Sequence, residues 1–317
     1  MKSAQINRYG SSDVMEINQN TPSPKLMPDK ILVDIKAAGV NPIDWKIREG
    51  YMQQMVPLQF PSTLGMDFSG IIKEVDSTES SFDYKKGNEV YGQASVTKGG
   101  TGAFAEIAIT DADNIALKPK TLSYEEAAAL PLVGVSAWQA LVENMRLSKG
   151  QKILIHGGAG GIGSIAIPLA KNLDAYVATT ASSDDKEFVH NLGADEVIDY
   201  KNQRFDDLIH GYDAVYDTVG GQTYTKSFKV LKEGGIIVSM LEQPNSELMQ
   251  QFGVRAVFQL TQVNKDRLTQ LAQWIDKNNI KIHVDKTFSL DEAANALDYV
   301  KDIHPRGKVI LKMQSKD

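Results

Sequence analysis

Gly158, Gly160 and Gly163 stand at the spacing G-x-G-x-x-G within "KILIHGGAGGIGS". Glycines at this spacing let backbone N–H groups reach an anion, provided that a strand leads in and a helix leads out. Both neighbours are legible here. "KILIH" is a short apolar run of strand type, "IGSIAIPLAKNL" follows with helical texture, and "AYVATT" arrives at the distance of the next strand. In such a βαβ unit Gly158 permits the tight turn and Gly160 leaves room for a pyrophosphate against the backbone. Gly163 lets the helix pack close to the strand. The N–H groups and dipole at the helix start then favour phosphate. A glycine-rich turn can also occur with no ligand; the complete unit points to a dinucleotide.

The end of the second strand bears on which dinucleotide. An NAD site usually places an Asp or Glu there to accept the ribose 2′-hydroxyl. This strand ends Thr179-Thr180 and runs into Ala181-Ser182-Ser183, with no acid at that point. Hydroxyls of Ser182 and Ser183 can donate to a 2′-phosphate, and Lys186 adds positive charge, which favours NADPH. Asp184 and Asp185 oppose it, since they repel phosphate unless they point away. The same serines and aspartates also suit the start of a helix.

Other chemistries are excluded by what the chain lacks. It has no cysteine, which removes disulfides, thiolate catalysis and every cysteine-ligated zinc site. The histidines, at 156, 190, 210, 283 and 304, show no H-x-x-H spacing. A formal net charge of -6 gives no general attraction to nucleic acid or anionic membrane. No apolar stretch approaches the roughly 18 residues of a membrane helix. The start "MKSAQINRYG" has no apolar signal core, so a cytoplasmic protein is expected.

The elements that must position the glycine loop follow from texture. The first 120 or so residues read as short strands and turns, including "KILVDIKAAGVNP", "FSGIIKEV", "NEVYGQASV" and "GTGAFAEIAIT". Near Ser123 the texture turns helical, with Ser123 and Glu126 in capping-box spacing and Pro131 and Gly134 dividing two helices. Strands are expected at 152–156, 175–180, 196–198, 213–217 and 235–239 with helices between, which implies a parallel, doubly wound sheet. "NKDRLTQLAQWIDKNNI" reads as a helix with Leu268, Leu271, Ala272 and Ile275 on one face. After it, "KIHVDKTFSLDEAANALDYV" and "GKVILKM" read strand, helix, strand.

Several motifs in register carry a family resemblance. "AAGVNPIDWKIREG" contains N-P-x-D; "KKGNEVYG", "AAALPLVGVSAWQAL", "ILIHGGAGGIG", "LGADEVIDY", "YDTVGG" and "RGKVIL" follow in order. The chain resembles the zinc-independent quinone oxidoreductase (zeta-crystallin-like) branch of the medium-chain dehydrogenase/reductase superfamily. In "LGMDFSGIIKEV", Met66-Asp67 stands where the zinc alcohol dehydrogenases have their His-Glu pair. The resemblance implies an α/β fold: a GroES-like, mostly-β domain from residues 1–124 plus 265–317, with a Rossmann domain, residues 125–264, inserted in it.

The resemblance also assigns positions. Asn41 would contact the nicotinamide end. Gly158, Ala159, Gly160, Gly161, Ile162 and Gly163 would line the pyrophosphate. Ser182, Ser183 and Lys186 would surround the 2′-phosphate, with Tyr200 beside it. Val219 and Gly220 would lie under the cofactor, Phe258 and Leu260 near the carboxamide, and Arg306 and Lys308 at the phosphates. One departure stands out: counted back from Gly193, the family's basic phosphate ligand falls on Asp185, one place before Lys186.

The implied activity is NADPH-dependent hydride transfer to a small quinone or another conjugated carbonyl acceptor. Without zinc no Lewis acid polarises an alcohol, and a reduced quinone or enolate can take its proton from water. Candidates beside the substrate are Asn41, Asp44, Trp45, Tyr51 and Tyr91, although Asp44 also suits a helix cap and Trp45 the core. Two alternatives stay open: a reductase dedicated to α,β-unsaturated aldehydes or ketones, and a crystallin-like NADPH-binding protein that acts through a partner without turnover. A homodimer or homotetramer is expected, joined near "GGIIVSM" and "LEQPNSELMQQFGVRAVFQL".

Overall fold

The computed structural model describes residues 1–55, 57–76 and 84–314. They form two compact units. The first comprises Met1–Leu132 and the chain from Val263 onward; the second is Val133–Gln262.

The first unit opens with β1 (Ser3–Ile6), β2 (Met15–Asn18), β3 (Lys30–Val40), β4 (Ser62–Thr63), β5 (Asp67–Val75), β6 (Glu89–Gln93), β7 (Ile107–Asp111) and β8 (Ile115–Leu117). Alternation in "KILVDIK" puts Ile31, Val33 and Ile35 in the core. The strand then ends on the small residues "AAGV". They are small for a reason: a Cβ on Gly39 would come 2.3 Å from the Ala128 carbonyl oxygen, so the helix Tyr124–Ala128 can lie directly on β3. That helix begins with the expected capping box, Glu126 N–H to Ser123 Oγ at 3.1 Å and Ser123 N–H to Glu126 Oε2 at 2.9 Å. Pro131 starts the next helix, Pro131–Trp138, which widens into a π-turn over Gln139–Asn144.

The second unit is one sheet of six strands: β9 (Lys152–Ile155), β10 (Tyr176–Ala181), β11 (Glu196–Asp199), β12 (Tyr212–Asp217), β13 (Leu231–Ser239) and β14 (Arg255–Phe258). All pairs are parallel, in the order β11-β10-β9-β12-β13-β14. Ile153, Leu154 and Ile155 of β9 have no exposed surface, as expected for a parallel strand covered on both faces. Its crossover helix is Gly163–Asn172.

The chain then returns with the helix Lys265–Asn278, β15 (Val284–Ser289), the helix Ala293–Asp302 and β16 (Lys308–Lys312). β16 pairs antiparallel with β3, completing the sheet β15-β16-β3-β5-β6-β8, to which β7 adds through β3. The two ends of the chain therefore share one sheet, and the parallel sheet is an insertion between them. The expected fold class holds. "GTGAFAEIAIT" is strand only over Ile107–Asp111. Gly102, at φ +89°, leaves no room for a Cβ, which would meet Thr63 O at 2.3 Å, so the segment before β7 is a loop across β4.

Candidate functional site

Because the inserted sheet is wholly parallel, the C-terminal ends of its strands share one edge. His156–Gly163 follow β9, Ser182–Lys186 follow β10, Asp199 ends β11, Thr218–Gly220 follow β12 and Phe258–Leu260 close β14. Strand order reverses at β9, which lies between β10 and β12. A doubly wound sheet binds ligands in the crevice at such a reversal.

The glycine loop is built for close backbone approach. Its left-handed residue is Gly157, at φ +69°, so the turn belongs to that residue and not to Gly158. Gly158 is demanded by packing: a Cβ there would stand 2.2 Å from Thr179 Oγ1. Gly163 is demanded by the crossover, since its Cβ would meet Gly157 O at 2.4 Å and Gly158 Cα at 2.6 Å. Gly160 differs. Its Cβ would find only Gly157 O, at 3.4 Å, so the space beside it is open. Gly160 N–H bonds Gly157 O and Ser164 N–H bonds Gly160 O. Among the described residues the N–H groups of Ala159, Gly161, Ile162 and Gly163 have no acceptor. Four free donors at the start of a ten-residue helix, beside a cradle that a Cβ would narrow, fit a pyrophosphate.

His156 and Thr180 brace this loop. Ser227 Oγ gives its hydrogen to Thr223 O at 2.7 Å, so at 2.9 Å it accepts from His156 Nε2–H. His156 Nδ1 then accepts from Thr180 Oγ1 at 3.1 Å, and the same oxygen accepts Gly157 N–H at 3.1 Å. Burial pushes the imidazole down to about 4, against the pull of Asp217, so it is neutral near pH 7. Asp217 does a similar task after β12. It accepts Val219 N–H at 3.1 Å, Gly220 N–H at 2.9 Å and Ser239 Oγ–H at 2.7 Å, holding an exposed Val219 and a left-handed Gly220 at the edge. Gln259 anchors the last strand by donating to Ser136 O at 2.9 Å and accepting from Asn144 Nδ2 at 2.8 Å, while Phe258 and Leu260 on either side are exposed.

Beside β10 and β11 lies a cavity of about 310 Å³ whose lining includes Ser182, Ser183, Lys186, Asp199, Asn202 and Gln203. It brings the three expected 2′-phosphate residues together and adds an acid that the sequence reading missed. Asp199 accepts Lys201 N–H at 3.1 Å and Asn202 Nδ2–H at 2.7 Å. Ser182 Oγ is already bonded to Asp185 Oδ2 at 2.6 Å, so the helix-start reading of this segment holds as well. Tyr200 follows Asp199 and is exposed.

In the first unit Asn41, Asp44 and Lys308 converge with Asp67 and Gln93, all buried. Asn41 Nδ2 donates to Asp67 Oδ2 at 2.9 Å, Gln93 Nε2 to Asp67 Oδ1 at 2.8 Å, and Leu132 N–H to Asp67 Oδ2 at 3.0 Å. Lys308 was expected at the cofactor phosphates. Its Nζ instead donates to Val40 O at 2.8 Å and Asn41 Oδ1 at 2.5 Å, because β16 lies against the end of β3. Asn41 is thus fixed at both ends of its amide and has no exposed surface. Asp44 accepts Asn41 N–H at 2.8 Å in the first turn of the helix Pro42–Arg48, and its Oδ1 has no partner among the described residues. Desolvation pushes this carboxyl up to about 7, with Asp67 adding to the effect and Asn41 N–H and Lys308 opposing it. Burial also raises Asp67 and lowers Lys308.

The remaining candidates stand apart. Tyr51 is 71% exposed and packs edge-on against Trp45 at 5.9 Å. Tyr91 is wholly buried and donates its hydroxyl to Leu268 O at 2.6 Å, a structural bond. Arg306 is exposed in the turn before β16.

Two family models match the chain: alcohol dehydrogenase GroES-like domain over residues 27–120, and zinc-binding dehydrogenase over residues 192–311. The chain is 36% identical to the 2-methylene-furan-3-one reductase of Solanum lycopersicum, across 98% of this chain and 79% of that one. It is 35% identical, with the same coverage, to the chloroplastic NADPH-dependent alkenal/one oxidoreductase of Arabidopsis thaliana. The quinone oxidoreductase structure from Coxiella burnetii superposes with a TM-score of 0.89 at 33% identity, covering 99% of each chain. The protein belongs to the quinone oxidoreductase branch of the medium-chain dehydrogenase/reductase superfamily. The residues do not fit the zinc of its alcohol dehydrogenase cousins. Cysteine is absent, Met66 replaces a ligand, and Asp67 is spent on Asn41, Gln93 and Leu132. Among the described residues no three acidic or histidine side chains converge as metal ligands.

Proposed function

We infer that this protein is an NADPH-dependent reductase of quinones or other conjugated carbonyl compounds. The observation that carries the reading is the glycine loop, packed shut at Gly158 and Gly163 yet open at Gly160, with four N–H donors unspent among the described residues. Bound there, NADPH supplies a hydride. The chain's own part is positional. Ala159, Gly161, Ile162 and Gly163 hold the pyrophosphate, Lys186 supplies charge toward the 2′-phosphate, and the Asp217 loop supports Val219 and Gly220 beneath the cofactor. In the first unit Lys308 and Asp67 lock the Asn41 amide in one orientation. Asp44, half protonated near neutrality, is a buried group there able to hold a proton. A reduced quinone or enolate can be protonated by water, so no side-chain acid is obligatory.

Relatives at 36% and 35% identity are named for an enone and for alkenals, which favours conjugated aldehydes and ketones as a second reading beside quinones. The test is NADPH oxidation with small quinones, 2-alkenals and cyclic enones, with NADH in parallel. Turnover is expected with at least one class, and kcat/KM ranks them. Binding of NADPH with no turnover of any acceptor would leave only the crystallin-like role. We expect a homodimer or homotetramer, β14 being one of the two edge strands of the inserted sheet, and light scattering measures the number of subunits.

A further inference from the structure

The cavity beside β10 and β11 carries an unusual charge balance for a phosphate site. A 2′-phosphate bears close to two negative charges at neutral pH and needs donors. The donors in the cavity lining are Lys186, two serine hydroxyls and the amides of Asn202 and Gln203; Asn202 already donates to Asp199, and both hydroxyls face carboxylates. Ser182 Oγ donates to Asp185 Oδ2 at 2.6 Å. Ser183 lies against Asp199, which Asn202 first, then Lys201 N–H and Ser183, hold below the usual carboxylate range. Asp199 is therefore charged at neutral pH, and it lines the same cavity as Lys186. It is fixed there by its own loop, through Lys201 N–H at 3.1 Å, Asn202 Nδ2–H at 2.7 Å and its own N–H to Gln203 Oε1 at 2.9 Å.

We propose that Asp185 and Asp199 are specificity-determining residues at the adenosine end, which hold down the preference for NADPH over NADH by occupying the two serine hydroxyls and opposing Lys186. The proposal rests on the cofactor reading above and adds to it. A bound 2′-phosphate must draw both hydroxyls away from their aspartates and accept two like charges nearby, whereas a ribose 2′-hydroxyl meets neither cost and can donate to a carboxylate. Asparagine at either position keeps the shape and an acceptor while removing the charge. In Asp199→Asn the carboxamide oxygen can still receive Lys201 N–H, and Ser183 is released to donate.

The experiment is titration calorimetry of the full chain with adenosine 2′,5′-bisphosphate and with AMP, in wild type, Asp185→Asn, Asp199→Asn and Lys186→Ala. Expected at low salt is tightening of the bisphosphate by about fivefold or more in each Asn variant, shrinking as salt rises, with AMP changed by less than about twofold. Lys186→Ala should weaken the bisphosphate and spare AMP. Equal changes for both nucleotides, or no change for the bisphosphate in either Asn variant, overturn the proposal while leaving the cofactor reading intact. Binding of neither nucleotide by the wild type overturns both. Thermal unfolding of each variant separates loss of fold from loss of selectivity.

Discussion

Asp44 occupies a position that is costly to ionise. Its Oδ2 takes one backbone N–H and its Oδ1 has no partner among the described residues, while Asp67 stands close by. A carboxyl whose folded value is about 7 against 3.8 in the open chain binds its proton more tightly when folded. Its contribution to stability is therefore full below about 4 and is lost as pH rises through about 7. Asp44→Asn has no such titration. Its urea midpoint should gain on wild type between pH 4 and 7.5, by an amount worth on the order of 2–4 kcal/mol, and run parallel outside that window. Parallel curves throughout would show that Asp44 stays ionised. Lys308 shows the same economy: a cation inside the sheet is tolerable only because Asn41 Oδ1, Val40 O and the charges of Asp67 and Asp44 meet it.

At the scale of elements, the strand–loop–helix unit separates glycines demanded by packing from one that leaves the space beside it open. Gly163→Ala drives a methyl into the backbone of Gly157 and Gly158, which cannot yield without moving the crossover helix. It should lower stability by about 2 kcal/mol or more and weaken NADPH together. Gly160→Ala meets only one atom, at 3.4 Å, and Gly160 has no left-handed φ. It should unfold like wild type, or up to about 1 kcal/mol later, through a stiffer unfolded chain. Its NADPH dissociation constant should nevertheless rise at least about tenfold, since the methyl fills the open cradle. Fluorescence titration beside urea unfolding reads both; a Gly160→Ala protein with normal affinity would mean that the pyrophosphate lies elsewhere.

At the scale of the whole molecule, binding and stability are linked. A cofactor held by the folded chain alone stabilises it by about 2.7 kcal/mol at a hundred times its dissociation constant. For a chain of this size that is a rise of about 4 °C in Tm. NADPH should produce it, and overnight treatment with a chelator should change neither the rise nor the turnover, because Asp67 is bonded into the Asn41 cluster and no cysteine exists to bind zinc. Loss of activity on chelation that returns with added zinc would contradict the absence of a ligand set.

Periodicity and punctuation alone determined five strands of the inserted sheet, β9 to β13. "KILI", "YVATTA" and "YDAVYD" are buried on both faces, so they read as apolar runs, and the glycines between strand and helix could be placed by spacing. The missing zinc set was equally legible, because a ligand that is absent from the sequence cannot be supplied by folding. Short strands such as β8 and β14, and the π-turn after Trp138, carried no local signal; they exist because neighbours pair with them. Tertiary structure also decided the partners of charges. Nothing along the chain says that Lys308 meets Asn41, which is distant in sequence and adjacent only through the pairing of β16 with β3. Asp199 ends a different strand from Ser183, and only the parallel register of β10 and β11 sets the two together. Sequence states which groups exist and what local backbone they prefer; long-range pairing chooses which of them share a dry or narrow space, and there their charges acquire meaning.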